Sequence, residues 1–145
     1  MAVKNQIGKD AVPALLKRLN QALRVEYSLI IHYPYIANLI RDQEVKKLAM
    51  VLGGASIHHA DVVASIISKL GGEPEWAFDP FPEGTDLKRI FRIQLSKERE
   101  ALQQHRGSAE MLPPGAHSEA LSALAKEEER HIQLVEQILS MLARP

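Results

Sequence analysis

The sequence predicts an all-α fold, a bundle of four long helices. Glycine and proline, which stop helices, divide the 145 residues into four segments. Within each segment apolar residues recur every three or four positions, which is the period of a helix with one buried face. Patterns typical of strands are almost absent. These observations indicate one helical-bundle domain covering 1–145.

The four helices are predicted in order from their start and stop signals. The first covers 10–41 and the second 44–70, where a double glycine follows. The third follows a cap at 85 or 86 and runs to about 112, before a Pro-Pro-Gly sequence, and the fourth begins at 118 and runs nearly to 145. At 1.5 Å per residue each helix would be roughly 36–48 Å long.

The connection between helices two and three is long and rich in glycine and proline. Residues 71–85 could extend to about 50 Å, enough to run the length of the bundle and leave helices two and three parallel. Antiparallel packing with a slack loop is the alternative, although so long a loop in a compact domain usually has a purpose.

The composition excludes several classes of function. Lys and Arg total 18 and so do Asp and Glu, so no overall charge attracts nucleic acid. No apolar stretch approaches a membrane span, and no signal peptide is recognisable. The chain has no cysteine, which excludes disulfides and thiolate metal sites. We therefore expect a cytoplasmic protein with neither nucleic-acid nor membrane partners.

Five ionisable residues interrupt the apolar stripes near mid-helix: Glu26, His59, Glu98, Glu128 and His131. Burying unpaired carboxylates costs several kcal/mol each, and no lysine or arginine shares these stripes. A bound cation would resolve the conflict.

The spacing within helix four supports this interpretation. Glu128 and His131 are three residues apart, so they project from one face and can hold one ion. Glu-x-x-His together with single glutamates from other helices is typical of bundles with two metal ions. Carboxylate oxygen and imidazole nitrogen suit iron, manganese or zinc.

Other residues near the stripes are open to simpler interpretations. Tyr33, two turns from Glu26, is either core packing or a hydrogen-bond donor at the centre. No function is assigned to the other histidines and charged residues near the stripes, which are His32, His105, His117, His58, Glu127, Glu129 and Arg130. The last four of these are expected to face water.

The sequence resembles the bacterioferritin family over nearly its whole length. Residues 19–33 (LNQALRVEYSLIIHY) are similar to that family's first helix, 58–74 to its second and 85–106 to its third. Residues 124–139 (LAKEEERHIQLVEQIL) resemble the fourth helix, which carries the most specific motif.

The resemblance implies a ferritin-like bundle with a ferroxidase-type di-iron centre. It implies that Glu26 and His59 hold one ion, that Glu98 and His131 hold the other, and that Glu128 bridges them. Catalytic roles would fall to Glu128 and Tyr33, with dioxygen or peroxide as oxidant.

Three departures from the family pattern alter these expectations. Ser56 replaces a bridging glutamate, so the second ion and any oxidase activity should be weakened. Ile57 replaces the methionine that binds haem, so haem is not expected. The chain ends at Pro145 without the family's short fifth helix, so we expect a homodimer or small homo-oligomer rather than a cage.

Two alternatives to a di-iron oxidase remain open from the sequence. One is a non-catalytic or single-metal bundle that binds iron, zinc or manganese at a degenerate centre. The other is a structural bundle whose polar core has lost its function.

Overall fold

The computed structural model describes residues 7, 8 and 10–144. They form four helices, and no strand occurs in these residues. The predicted all-α bundle is therefore confirmed. The helices are α1 (Ala11–Ala37), α2 (Gln43–Lys69), α3 (Leu87–Met111) and α4 (Ala116–Leu142).

Three predicted helix ends differ from the observed ones by a few residues. The first helix ends at Ala37 rather than at 41, three residues after Pro34. Residues 38–40 instead form tight turns, in which the Asn38 amide donates to the Tyr35 carbonyl. The fourth helix begins at Ala116 rather than at 118, because the Ser118 hydroxyl caps it by accepting from the Gly115 amide at 3.1 Å. It ends at Leu142, and residue 145 lies outside the described residues.

The 71–85 connection runs along the outside of α1. The Glu75 amide donates to Asn20 Oδ1 at 2.9 Å, and the Asp79 amide donates to Ser28 Oγ at 2.8 Å. Further on, the ring centroid of Phe81 lies 4.1 Å from that of Tyr35. Contacts therefore advance along α1 as the connection proceeds, which is the predicted crossover.

The helix directions follow from contacts between α1 and its neighbours. Gly53 of α2 lies against Tyr33, whereas Gly72, just after α2, lies against Leu16 near the other end of α1. The Tyr33 hydroxyl meets Glu98 near the middle of α3. His105, further along α3, meets Glu26, which comes earlier in α1. Since α1 is antiparallel to both α2 and α3, those two helices are parallel.

Asp79 of the 71–85 crossover pairs with cationic side chains on two helices. Its carboxylate accepts from Arg24 of α1 at 2.8 Å and from Lys97 of α3 at 2.6 Å. Partial burial alone would raise the pKa of Asp79, but the two cations outweigh it and lower the pKa. His32, which received no function from the sequence, is buried and its Nε2 lies 2.9 Å from the Asp79 carbonyl oxygen.

The apolar core has two halves separated by a polar layer. One half contains Leu19, Leu23, Val63, Ile67 and Leu121. The other contains Leu29, Ile36, Leu52, Phe91 and Val135. The buried glutamates and histidines come between these groups along every helix, so they form a band across the middle of the bundle.

Helix α2 is the most apolar of the four. By length and composition alone it could cross a membrane, with a mean hydropathy of 1.4 over its most apolar window. The expectation that no stretch approaches a membrane span is therefore wrong for α2. In the bundle 44% of that window is buried, and the core helix of a bundle passes the same test, so this is weak evidence for a membrane.

Two adjacent glycines in α2 have opposite surroundings. A Cβ on Gly53 would lie 3.0 Å from Tyr33 Cβ, whereas a Cβ on Gly54 meets no atom within 4 Å. Gly54→Ala should therefore stabilise the helix by about 0.5–1 kcal/mol, since glycine costs that much relative to alanine in a helix interior.

Gly53→Ala gains the same helix propensity but pushes α1 away from α2. Overpacking costs typically about 1–3 kcal/mol, so we expect this variant to be less stable than the Gly54→Ala variant. Urea unfolding of the two variants and the wild type measures the difference. Equal stabilisation by both substitutions would mean that α1 and α2 are not closely packed at this point.

Candidate metal centre

The structure brings the five ionisable stripe residues together inside the bundle. Glu26, His59, Glu98 and Glu128 have no solvent exposure, and His131 retains 9%. Each of the four helices contributes, because the stripe of each faces the bundle axis at this level. The side chains form two groups that share Glu128.

The first group contains Glu26, His59, His105 and Glu128. His59 Nδ1 lies 2.7 Å from Glu128 Oε1 and 3.2 Å from Glu26 Oε2. His105 Nε2 lies 2.8 Å from the same Glu26 oxygen. One potential ligand atom of each residue lies within 4.8 Å of the others, so the four can hold one metal ion.

The second group contains Glu98, Glu128 and His131. His131 Nδ1 lies 3.5 Å from Glu128 Oε2 and 3.8 Å from Glu98 Oε2. The His131 ring stacks on that of His59, with 5.3 Å between centroids and 14° between planes. Glu128 thus presents one oxygen to each group.

His105, to which no function was assigned from the sequence, belongs to the first group. It is completely buried, as a site residue should be. It lies on the α3 stripe seven residues after Glu98, and this register was the one signal available in the sequence. It has no ligand partner within α3, because its partner is Glu26 on α1.

Glu127 also departs from the expectation that it faces water. Its Oε2 lies 2.9 Å from His59 Nε2, and the side chain is 37% exposed. The expectation holds for its neighbour Glu129, which is about half exposed and pairs with Arg106. His58 and Arg130 are exposed as well.

Ser56 and Tyr33 have different relations to the centre. Ser56 is buried, but its hydroxyl donates to the Leu52 carbonyl within α2 at 3.3 Å and belongs to neither group. The Tyr33 hydroxyl donates to Glu98 Oε2 at 3.2 Å. Tyr33 is therefore positioned to orient one of the second group's carboxylates.

Comparison with solved structures identifies the architecture. A ferritin-like, diiron-carboxylate protein from Bacillus anthracis str. Ames superposes with a TM-score of 0.79 at 22% identity, over 88% of this chain and 96% of that one. A dodecameric thioferritin from Bacteroides fragilis, related to bacterioferritin, gives 0.82 at 21% identity, over 99% and 92%. This chain has the ferritin-like fold.

This chain is also similar in structure to a bacterioferritin. The Rhodobacter capsulatus protein, with a metal-free dinuclear site and haem iron, gives a TM-score of 0.69 at 25% identity, over 89% of this chain and 85% of that one. The sequence matches no protein-family model, and no curated protein matches it. The resemblance to bacterioferritin is thus confirmed for the fold.

Burial and mutual charge shift the pKa values in the centre of the ferritin-like bundle. Burial alone would lower the pKa of His59, but hydrogen bonds and charge from Glu128 and Glu26 raise it to about 10. Burial would raise the pKa of Glu128, but His131 and His59 lower it well below its usual value. The pKa of Glu98 rises through burial and the nearby Glu128 charge. Burial and Glu98 likewise raise the pKa of Tyr33.

The donor set fits a divalent cation. Among the described residues, five buried ligand-type atoms of the centre have no hydrogen-bond partner: Glu26 Oε1, Glu98 Oε1, His105 Nδ1, Glu128 Oε2 and His131 Nδ1. Such orphaned groups are costly in a protein core unless something binds them. Three carboxylates and three imidazoles, without thiolate, suit iron, manganese or zinc.

Proposed function

We propose that this ferritin-like chain binds iron at a centre for two metal ions and oxidises ferrous iron there. The observation that carries the proposal is the position of Glu128. Its Oε1 lies 2.7 Å from His59 Nδ1, and its Oε2 lies 3.5 Å from His131 Nδ1. One carboxylate facing two groups of ligands is the arrangement expected of a bridge between two ions. The diiron-carboxylate nature of the Bacillus anthracis protein supports iron as the metal.

The two groups would hold their ions unequally. Glu26, His59, His105 and Glu128 offer four ligands to the first ion, whereas Glu98, Glu128 and His131 offer three to the second. Fewer ligands leave more of the second ion's coordination open to small molecules. We therefore assign the tighter binding to the first group and the reaction with oxidant to the second.

Bound iron would supply the electrons that reduce dioxygen or peroxide. The residues of the chain position and shield it. Burial of all three glutamates keeps bulk water from the centre. Tyr33 holds the Glu98 carboxylate by a hydrogen bond from its hydroxyl, which is its proposed catalytic contribution beside the bridging role of Glu128.

Charge distinguishes this centre from one with four glutamates. Two ferrous ions bring four positive charges, and the three glutamates offset three of them when the histidines are neutral. Ser56 offers no fourth charge, and its hydroxyl is already bonded to the Leu52 carbonyl. His105 adds a ligand but no negative charge. The second ion is therefore expected to bind more weakly than the first.

A centre for a single ion is the second candidate function. It is favoured because the first group offers four ligands and the second group offers three. The first group alone has a complete set of four ligands. Such a site would hold iron, zinc or manganese without turnover. Anaerobic titration with ferrous iron separates the candidates: two ions per chain support the oxidase, and one ion that is not oxidised in air supports the single-ion centre.

Ser56→Glu should strengthen the second ion. Residue 56 is one helical turn before His59 and is buried, so a glutamate there would add the missing charge next to the centre. We expect tighter binding of the second ferrous ion and faster oxidation in air, measured by absorbance after mixing with oxygenated buffer. Ser65→Glu on the exposed side of α2 is the matched control. Unchanged second-ion affinity in the Ser56→Glu variant would mean that charge is not what limits the site.

We also propose that the chain forms a homodimer through the outer face of α2. Met50, Val51 and Ile57 are each about half exposed there, at 48%, 56% and 59%. Apolar side chains grouped on one surface commonly mark an interface, and twofold dimers are the commonest homo-oligomers.

Light scattering should give twice the 16.2 kDa chain mass, and Ile57→Lys should shift the mass toward that of the monomer. A mass near twelve chains would instead match the dodecamer of the Bacteroides fragilis protein.

A further inference from the structure

We propose that Glu127 is a positioning residue of the metal centre, which fixes the His59 ring so that Nδ1 faces the first ion. This inference rests on the proposed function, because it requires that the first group binds a metal. It assigns a role to a carboxylate that lies outside both groups of ligands.

Both ring nitrogens of His59 are held by glutamates that are adjacent in the sequence. Nδ1 lies 2.7 Å from Glu128 Oε1, inside the centre, and Nε2 lies 2.9 Å from Glu127 Oε2, on the outer side. His59 has no solvent exposure. Glu127, rather than water, is therefore the group that Nε2 meets.

The two nitrogens must have different chemistry when an ion is bound. A metal-binding imidazole is neutral and carries its one proton on the nitrogen that does not bind. A carboxylate beside Nε2 accepts an N–H from that nitrogen and leaves the Nδ1 lone pair free to bind. It also orients the ring and makes the imidazole a stronger ligand. Glu127 has the position for all three effects.

His59 differs in this respect from the other two histidines of the centre. His105 binds Glu26 through Nε2, and its Nδ1 is buried without a partner in the described structure. His131 faces Glu98 and Glu128 through Nδ1, and no carboxylate within ion-pair distance of its Nε2 occurs among the described residues. Removing Glu127 should therefore affect His59 alone.

Zinc is a suitable probe, because it is diamagnetic and has no redox chemistry. In zinc-loaded wild type, nitrogen-15 NMR of the histidines should show His59 bound through Nδ1 and protonated at Nε2. This measurement needs no variant. A His59 ring that binds zinc through Nε2 would overturn the inference.

Substitution then tests the contribution to affinity. Glu127→Ala should weaken zinc binding by about 10–100-fold, the usual effect of removing a carboxylate that supports a histidine ligand. Glu127→Gln keeps a hydrogen-bond acceptor and should retain more of the affinity. Glu129→Ala is the matched control, since Glu129 is also on α4 but pairs with Arg106 at the surface. Competition with a coloured chelator measures each dissociation constant.

The outcomes separate this inference from the proposed function. Wild type that binds no zinc and no iron would overturn both. Wild type that binds zinc as tightly as the Glu127→Ala variant would overturn the role of Glu127 and leave the metal centre intact. Weaker zinc binding in the Glu127→Ala variant, with partial recovery in the Glu127→Gln variant, supports the positioning role. A merely structural defect would not depend on whether residue 127 keeps a hydrogen-bond acceptor.

Discussion

Glu128→Ala is expected to reduce metal binding to less than one ion per chain. The substitution removes a ligand from both groups at once, since Oε1 faces His59 and Oε2 faces His131. It also removes one of the three buried glutamates of the centre, whose negative charges would offset the ions. Metal content after anaerobic loading with ferrous iron and desalting, measured by mass spectrometry, gives the stoichiometry directly.

Two further variants show whether this loss is specific to the bridge. His105→Ala should weaken the first ion by about tenfold or more and leave the ligands of the second group intact. His58→Ala should change nothing, because His58 is adjacent to His59 but exposed. Retention of two ions by the Glu128→Ala variant would contradict the bridging role.

Metal removal is expected to lower the stability of the fold substantially. Without an ion, the core must accommodate three buried carboxylates, none of which pairs with a lysine or arginine in the part of the chain that the structure describes. An ion that binds only the folded state adds about 2.7 kcal/mol at a hundredfold excess over its dissociation constant. For a chain of this size that corresponds to an increase in Tm of roughly 5–10 °C. Calorimetry with and without a chelator measures it.

The stability of the metal-free protein should fall as the pH rises from neutral to alkaline. The pKa of His59 is raised from 6.5 to about 10 on folding. Its stabilising contribution is therefore complete below pH 6.5 and is lost as the pH approaches 10. Glu98, whose pKa is also raised, contributes fully only below 4.5 and less above it. Glu128 has the opposite sign, because its pKa is lowered, and it loses its contribution in acid.

Metal affinity should change with pH in the opposite direction to the stability of the metal-free protein. His59 and Glu98 must lose protons in order to bind an ion, so affinity should increase with pH. The increase in Tm on adding zinc should accordingly be larger at pH 8 than at pH 6. A Tm that does not respond to chelation or to added iron, manganese or zinc would favour a bundle whose polar core has lost its function.

The fold could be predicted because its signals are local. Gly71 and Gly72 end α2, Asp86 caps α3, and the apolar period identifies each buried face. The end of α1 could not be predicted from the same signals. Residues 38–41 include no glycine or proline that would mark the end of a helix. The turn there follows Pro34 and is formed by short-range backbone hydrogen bonds.

The candidate site was predictable only as far as each helix could be considered alone. Glu128 and His131 share one face, so their spacing identified them. His105 is paired with Glu26, which is 79 positions away, and Glu127 reaches His59 across the α2–α4 contact. Periodicity assigns residues to faces but does not tell which residues on two facing helices are opposite each other.

The most direct test of the two-ion centre is a crystal structure of protein loaded anaerobically with manganese or ferrous iron, with anomalous diffraction at the metal edge. We expect two anomalous peaks about 3.5–4 Å apart, one on each side of the Glu128 carboxylate. The first should lie among Glu26, His59 and His105, and the second, weaker one between Glu98 and His131. Peaks confined to the protein surface, with none beside Glu128, would contradict the account.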